Sequence, residues 1–281
     1  MEHSLRLKEV TKKYEGFTLD HVSIDLPSGC IMGFIGANGA GKTTTIKCLL
    51  GLIHMDGGEI TILGQPGDSG LRQAKEEIGV VLDESNFPDN MRVKDVNLIM
   101  KNLYRNWEEE KFFSLAQRFD LAPDKIVKNY SHGMKMKLSI AVALSHAAKL
   151  LILDEATSGL DPIARDEILD VLLDFIQDET HSVFMSSHIL SDLEKACDYI
   201  TFLHKGKVVF SDTKDELLES YGLLKCTQAE FDTLDPAIVK GYRKNSFGVE
   251  ALVLKKGLAG DHVVDPASIE DIMLYHVKES N

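Results

Sequence analysis

A glycine-rich turn near the start of the chain has the residue types and spacing needed to hold phosphate groups. It fits the pattern G-x-x-x-x-G-K-[ST] and reads Gly36-Ala37-Asn38-Gly39-Ala40-Gly41-Lys42-Thr43. Glycines let the backbone curl so that several N–H groups point at one anion, and the start of a following helix adds unpaired N–H groups. Lys42 supplies a positive charge for the β- and γ-phosphates, and Thr43 supplies a hydroxyl for Mg²⁺. Together with Thr44, this turn is predicted to bind a nucleotide.

A second candidate is an apolar run that ends in two acids, Leu150-Leu151-Ile152-Leu153-Asp154-Glu155. A continuous apolar run is typical of a buried parallel strand, and ligands bind at the carboxyl ends of such strands. Asp154 is then placed to hold Mg²⁺, and Glu155 to polarise an attacking water. Taken alone, an apolar strand with a solvated acidic end is an equally good interpretation. The glycine-rich turn upstream favours the chemical one.

The elements that must position these residues alternate between strand and helix. Residues 4–25 read as an antiparallel hairpin, and short apolar strands recur near residues 30, 78, 150, 183 and 199 with helical patterns between them. This predicts an α/β core with a parallel sheet and an antiparallel β subdomain. A helical subdomain is inserted at about 84–148, and a small α+β appendage follows. The predicted domains are residues 1–220 and 221–281.

Composition narrows the classes of protein further. The chain has 281 residues, of which 44% are hydrophobic, and no apolar run reaches the roughly 18–20 residues of a membrane span. Its N-terminus does not have the pattern of a secretory signal, so a cytoplasmic or cytoplasm-facing location is expected. The net charge of −13 argues against a sequence-independent grip on nucleic acid, which is not an expected partner. The four cysteines are scattered without zinc-site spacing.

Further motifs narrow the choice among phosphate-binding families. The segment Tyr130-Ser131-His132-Gly133-Met134 resembles the L-S-G-G-Q signature of ABC ATPases, and Ser158-Gly159-Leu160-Asp161 resembles their D-loop. The triplet Ser186-Ser187-His188 resembles their switch histidine, and Tyr14 stands where the family places an aromatic ring against adenine. Singly, each has an ordinary interpretation as a helix cap, a turn or strand packing. In order and spacing together, from about residue 4 to 211, they resemble an ABC transporter nucleotide-binding domain, most like those of ABC-2-type exporters.

The resemblance implies a P-loop NTPase core that binds ATP and Mg²⁺ and hydrolyses ATP. It implies that two such domains pair head to tail, so that Ser131, Gly133 and Asp161 complete the nucleotide site of the neighbouring domain. Glu155, His188 and Lys42 would carry the chemistry. The partners would be integral membrane transporter subunits, with this chain peripheral on the cytoplasmic face and export the expected direction. Docking would use the helical insertion, where four residues are either contacts or core: Phe87, Pro88, Met91 and Val93.

The chain departs from the family pattern at a few positions. Asp83 stands where the family usually has a glutamine that contacts Mg²⁺, and a carboxylate there is still a possible Mg²⁺ ligand. His132 and Met134 replace a glycine and a glutamine of the signature, and a histidine titrates near neutral pH. These changes leave open a heterodimer or a catalytically weakened regulatory subunit. An ABC ATPase unconnected with transport and another phosphate-loop enzyme, such as a small-molecule kinase, are the remaining alternatives.

Overall fold

The computed structural model describes residues 3–67, 72, 74–83, 87–246, 248–258 and 262–279. The chain forms two compact units, Met1–Val208 and Val209–Asn281. The boundary predicted from the sequence lies after residue 220, so the two divisions differ in where they place residues 209–220. The assignment of 221–281 to an accessory domain stays a prediction.

The described elements up to residue 213 combine strands and helices, as the sequence predicts. In chain order they are β1 (His3–Tyr14), β2 (Phe17–Pro27), β3 (Ile31–Ile35), α1 (Lys42–Leu49), β4 (Gly57–Ile62), β5 (Gln65–Pro66), β6 (Ile78–Val81), α2 (Val93–Leu103), α3 (Glu109–Arg118), α4 (His132–Leu144), β7 (Leu150–Asp154), α5 (Pro162–Phe175), β8 (Ser182–Ser187), α6 (Leu190–Ala196), β9 (Tyr199–His204) and β10 (Lys207–Thr213).

Among the described residues, the strands β1 to β10 form two sheets. The first is antiparallel, in the order β2-β1-β4-β5, and contains the hairpin predicted near the N-terminus. The second has the order β10-β9-β3-β8-β7-β6, and β9, β3, β8, β7 and β6 are mutually parallel. Every residue of β3, β7 and β8 is buried, as expected of central strands covered on both faces. Because β3, β8 and β7 are adjacent and parallel, their carboxyl ends meet at one edge, where ligands bind in such sheets.

The helices α2, α3 and α4 come between β6 and β7, which are neighbours in the sheet. This confirms a helical insertion in the α/β core. It has its own apolar interior, in which Val93 and Phe112 are fully buried. Val93 is therefore core of the insertion and not a docking contact. The helix α4 begins at His132, because the side chain of Ser131 accepts a hydrogen bond from the Met134 N–H and caps it.

The second unit is a small α+β structure, as predicted. Its elements after β10 are α7 (Lys214–Ser220), β11 (Tyr221–Cys226), α8 (Gln228–Phe231), β12 (Val239–Asn245), β13 (Gly248–Leu254), β14 (Val264–Pro266) and α9 (Ile269–Glu279). The strands form an antiparallel sheet in the order β12-β13-β11-β14, and Tyr275 of α9 is buried with its hydroxyl donating to Glu250 at 2.6 Å. None of the described helices has the length and apolar character needed to cross a membrane.

Candidate functional site

A cleft of about 820 Å³ opens at the carboxyl edge of the parallel sheet. It collects residues from the β1–β2 turn, the β3–α1 loop, the ends of β6 and β7 and the segment after β8: Gly16, Phe17, Ala37, Asn38, Gly39, Gly41, Lys42, Thr43, Thr44, Asp83, Glu155, Ser158 and His188. Most of the cleft was predicted from the sequence. The segments that supply it are up to 172 positions apart along the chain, from residue 16 to residue 188.

The β3–α1 loop is shaped by its glycines. A Cβ on Gly36 would lie 2.5 Å from the Leu203 carbonyl oxygen, so only glycine fits there. Gly39 and Gly41 have φ values of 79° and 114°, a region of backbone conformation that glycine adopts without strain. Gly36 and Ala40 are buried and shape the loop, whereas Asn38 and Gly39 are exposed towards the cleft. The loop therefore turns exposed backbone towards the cleft at the start of α1.

Lys42, the first residue of α1, is held in place by two contacts. Its Nζ donates to the Gly36 carbonyl at 2.7 Å and lies 3.2 Å from Oε1 of Glu155. Only 7% of the Lys42 side chain and 15% of the Glu155 side chain are exposed. The ammonium thus faces the cleft with a carboxylate as its anionic partner, in a position suited to a phosphate oxygen.

Asp154 and Glu155 at the end of β7 are fixed by Ser186 of the neighbouring β8. The Ser186 hydroxyl donates to Oδ1 of Asp154 at 2.6 Å, and the Glu155 N–H reaches Ser186 Oγ at 3.0 Å. Glu155 has a φ of 53°, which is unfavourable for a residue with a side chain. This backbone turn separates the two acids, so that Asp154 is buried while Glu155 lines the cleft.

His188 completes a chain of contacts with Glu155. Its Nδ1 lies 2.6 Å from Oε2 of Glu155, while Lys42 approaches the other oxygen. The carboxylate is therefore held between two basic side chains. A carboxylate oriented in this way can accept a proton or a hydrogen bond from a water in the cleft, and the imidazole can fix its direction.

The residues predicted to hold Mg²⁺ differ in their surroundings. Thr43 and Asp83 are exposed and line the cleft, whereas Asp154 lies behind Glu155, buried and bonded to Ser186. Among the residues that the structure describes, no group of three or more His, Cys, Asp and Glu side chains is arranged to hold a metal ion. Mg²⁺ at nucleotide sites uses one or two protein ligands together with phosphate oxygens and waters, so this donor set fits it.

The signature residues and Asp161 lie outside the cleft, whereas Ser158 at the start of the D-loop lines it. Ser131 is exposed and caps α4, and Asp161 is exposed and caps α5 by accepting from the N–H groups of Ile163 and Ala164, both at 3.0 Å. The hydrogen bond from the Ala164 N–H is the main reason that the pKa of Asp161 lies below its usual value. His132 joins the two segments, since its Nε2 lies 3.1 Å from the Ser158 carbonyl oxygen.

One aromatic residue that lines the cleft is not among the predicted site residues. Phe17 lines the cleft, and its ring would lie 2.9 Å from a Cβ placed on Gly41. Tyr14, its partner across the β1–β2 turn, is 47% exposed, and the Lys12 ammonium lies 5.5 Å from its ring centre. Sequence reasoning did not identify Phe17. The signal was present, because a tight turn at 15–16 places residues 14 and 17 side by side.

Comparisons with known proteins identify the family of this chain. The family model described as ABC transporter matches residues 19–158. The chain is 35% identical over 212 residues to the bacitracin transport ATP-binding protein BcrA of Bacillus licheniformis, covering 74% of this chain and 69% of that protein. It is 32% identical over 285 aligned positions to YhcH of Bacillus subtilis, an uncharacterized ABC transporter ATP-binding protein, covering 99% and 92%.

A solved structure shows the same fold. It is a dimeric ATP-binding cassette in a post-hydrolysis state with ADP and Pi, and it superimposes with a TM-score of 0.67 at 20% identity over 74% of this chain and 98% of that chain. The P-loop NTPase architecture predicted from the glycine-rich turn is thereby confirmed. With this fold, the cleft described above and relatives that align over most of its length, the chain belongs to the ATP-binding proteins of ABC transporters and is the ATP-hydrolysing subunit of such a transporter.

Proposed function

We propose that this chain binds ATP with Mg²⁺ in the cleft beside Lys42, pairs head to tail with a second ATPase domain, and drives export through a separate membrane-spanning subunit. The observation that carries the proposal is the convergence of Lys42 and His188 on the two oxygens of Glu155, at 3.2 and 2.6 Å. A phosphate-binding cation and a water-orienting carboxylate thereby share one site.

In this proposal the loop N–H groups and Lys42 hold the β- and γ-phosphates. Mg²⁺, when bound, neutralises charge on the phosphate oxygens, and Thr43, Asp83 and Asp154 would hold it directly or through water. Glu155 accepts a hydrogen bond from the attacking water and orients it. His188 keeps the Glu155 carboxylate directed into the cleft and lies at its rim, where the γ-phosphate would arrive.

The second ATPase domain is inferred from residues that have no role in their own cleft. Ser131 and Asp161 are exposed at the starts of α4 and α5, where helix N-termini offer N–H groups to an anion. Ile163, two residues after Asp161, is 74% exposed, so an apolar side chain is also available for contact at the start of α5. A head-to-tail pair would bring Ser131 and Gly133 of one domain to the phosphates of the other, in a homodimer or a heterodimer.

The membrane-spanning partner is inferred from a mostly apolar groove of about 440 Å³ in the first unit. It is formed by the end of α1 and residues of β6 and α2: Leu50, Leu52, Lys75, Glu76, Ile78, Val80, Leu82, Leu103 and Tyr104. Leu52 is 59% and Leu103 63% exposed, so apolar side chains stand in solvent. The groove would receive a short helix from a cytoplasmic loop of the membrane subunit, which would place this chain peripherally on the cytoplasmic face.

The direction of transport is proposed from the relatives. BcrA is named as a bacitracin transport protein, and another relative, 30% identical over 240 residues, is a Nod factor export ATP-binding protein of Burkholderia lata. Export is therefore the function best supported for the transporter to which this chain belongs.

Cysteine cross-linking tests the shared site. Asn38→Cys and Ser131→Cys are introduced into separate copies of the Glu155→Gln chain, the copies are mixed, and a short bifunctional thiol reagent is added with ATP or ADP. We expect an intermolecular product that forms with ATP and not with ADP. Glu59→Cys, at an exposed position of β4, replaces Ser131→Cys as the control. Equal yields from Ser131→Cys and the control, both for the chain alone and with co-expressed candidate partners, would reject the head-to-tail site.

A further inference from the structure

Three polar side chains of the first unit lie near one another and each has a buried atom without a hydrogen-bond partner. They are Thr157, Arg165 and Asp192, which we call the polar cluster. Arg165 Nε lies 3.7 Å from Oδ1 of Asp192, which is longer than a hydrogen bond between charged groups. Among the described residues, Thr157 Oγ1, Arg165 Nε and Asp192 Oδ2 are all buried without a well-formed hydrogen bond.

The burial of this cluster makes the incomplete bonding significant. Only 2% of the Asp192 side chain is exposed and 24% of the Arg165 side chain. Burial raises the pKa of Asp192, and the nearby hydroxyl of Thr157 and the charge of Arg165 oppose that shift. Buried polar groups in native proteins normally have hydrogen-bond partners. The three unpaired atoms of the polar cluster can therefore still form hydrogen bonds with one another if their side chains move closer.

The cluster connects the two segments that carry the hydrolytic residues. Thr157 comes two residues after Glu155 and directly before Ser158, which lines the cleft. Asp192 comes four residues after His188, in the first turn of α6. Arg165 of α5 also reaches the D-loop, because its Nη2 donates to the Leu160 carbonyl at 3.1 Å. One guanidinium therefore lies between the D-loop and the segment that bears His188.

We propose that Arg165 and Asp192 are positioning residues, through which a displacement of the D-loop sets the position of His188 and hence of Glu155. When the second ATPase domain contacts residues 158–161, the Leu160 carbonyl moves the Arg165 guanidinium. The guanidinium then closes on Asp192, whose segment carries His188. This role rests on the proposed function, since it requires that Glu155 and His188 act in hydrolysis and that the D-loop meets a partner.

The alternative is that Arg165 and Asp192 only hold α5 and α6 together. The chain offers a matched control for that role. Lys195 of α6 pairs with Asp166 and Asp170 of α5, the latter at 3.0 Å, and so bridges the same two helices on the surface, away from the D-loop. Lys195→Met removes a link between the helices without touching the polar cluster.

The experiment measures the steady-state ATPase rate, the ATP affinity and the melting temperature of the purified full-length chain and its variants. We expect Arg165→Met and Asp192→Asn each to lower kcat by about 10- to 100-fold, the range for a small misplacement of catalytic groups. The Kd for ATP should stay within about twofold, because neither residue lines the cleft. Arg165→Lys should recover part of the rate, and Lys195→Met should match wild type.

The double variant shows whether Arg165 and Asp192 act on kcat through each other or independently. If Arg165 and Asp192 act through each other, Arg165→Met with Asp192→Asn lowers kcat no further than either change alone. The proposal would be overturned if the double variant lost kcat by the product of the two single losses. It would also be overturned if the single variants kept the wild-type kcat, or if Lys195→Met lost as much kcat as they do. If Arg165→Met does not fold, the same comparison of kcat in single and double variants is made with Arg165→Lys and the nearly isosteric Asp192→Asn. Glu155→Gln, measured in parallel, distinguishes the two failures, since an active Glu155→Gln chain would refute the proposed catalytic site and not this connection alone.

Discussion

Changing Glu155 to Gln should lower the rate of ATP hydrolysis and raise the affinity for ATP. The amide cannot accept a proton from water as the carboxylate can, so hydrolysis should slow. The same change removes the negative partner of Lys42, with which the phosphates of ATP must compete. We therefore expect Glu155→Gln to bind ATP more tightly than wild type while hydrolysing it much more slowly.

The contact geometry sets the size of both effects. Two unit charges 3.2 Å apart, as in the Lys42–Glu155 pair, interact by about 5 kcal/mol at an effective dielectric constant of about 20. Desolvation offsets much of this, and a hydrogen bond to a charged group contributes about 1.5–3 kcal/mol net. Because the amide oxygen of Gln keeps part of the contact, we expect ATP to bind about 1–2 kcal/mol more tightly, roughly 5- to 30-fold. Loss of the water-orienting carboxylate should lower kcat by about 10²- to 10⁴-fold.

Isothermal titration with ADP and ATP, together with phosphate release, measures both effects. ADP separates the local competition for Lys42 from any ATP-driven pairing of domains, because it lacks the γ-phosphate. Glu59→Gln is the matched control, since it makes the same chemical change at an exposed position of β4.

Two results would refute this reasoning. Weaker nucleotide binding by Glu155→Gln than by wild type would mean that Glu155 supports the nucleotide and does not compete with it. An ATPase rate equal to that of Glu59→Gln would remove Glu155 from the reaction.

Two further predictions concern the base contact and pH. Tyr14→Ala should weaken ATP binding by about 1–3 kcal/mol, the range for base–aromatic stacking, as measured by titration. Phe17→Ala is the comparison, and a larger loss in that variant would assign the base contact to Phe17. Acidification from about pH 7.5 to 5.5 should destabilise the first unit through His146, because burial lowers the pKa of this side chain. Below the usual histidine pKa of about 6.5 the unfolded chain takes up a proton that the folded chain resists, so stability present above that pH is lost. Melting temperatures of wild type and His146→Gln at both pH values test this, and an unchanged pH dependence in the variant would contradict it.

Much of the site was predictable because its residues depend on local rules. The glycines at 36, 39 and 41 are required by backbone conformation and close approach, which a sequence pattern records directly. The acids at 154–155 follow a run of apolar residues that is typical of a buried strand, and β7 ends at Asp154. Helices and strands were placed to within a few residues where apolar spacing was regular.

Other features depended on irregular local signals. The strand β12 was not predicted, since Val239–Asn245 is largely polar and basic and lies at the edge of its sheet, where no apolar alternation is needed. The helix α4 begins at His132, directly after Ser131, for which a helix cap was one of the interpretations open from the sequence.

The amino-acid order by itself identified the candidate chemistry: a loop of the phosphate-binding type, a pair of acids and a histidine in an order that one family shares. Only the tertiary structure decided how these groups meet. Strand order places β8 between β3 and β7, which lets Ser186 hold both acids and brings His188 within 2.6 Å of Glu155. It also placed Phe17 at the cleft, and it brought Arg165 to Asp192. The physical reason is that such contacts join residues distant in the chain, and their distances depend on strand order and packing, which no local pattern encodes.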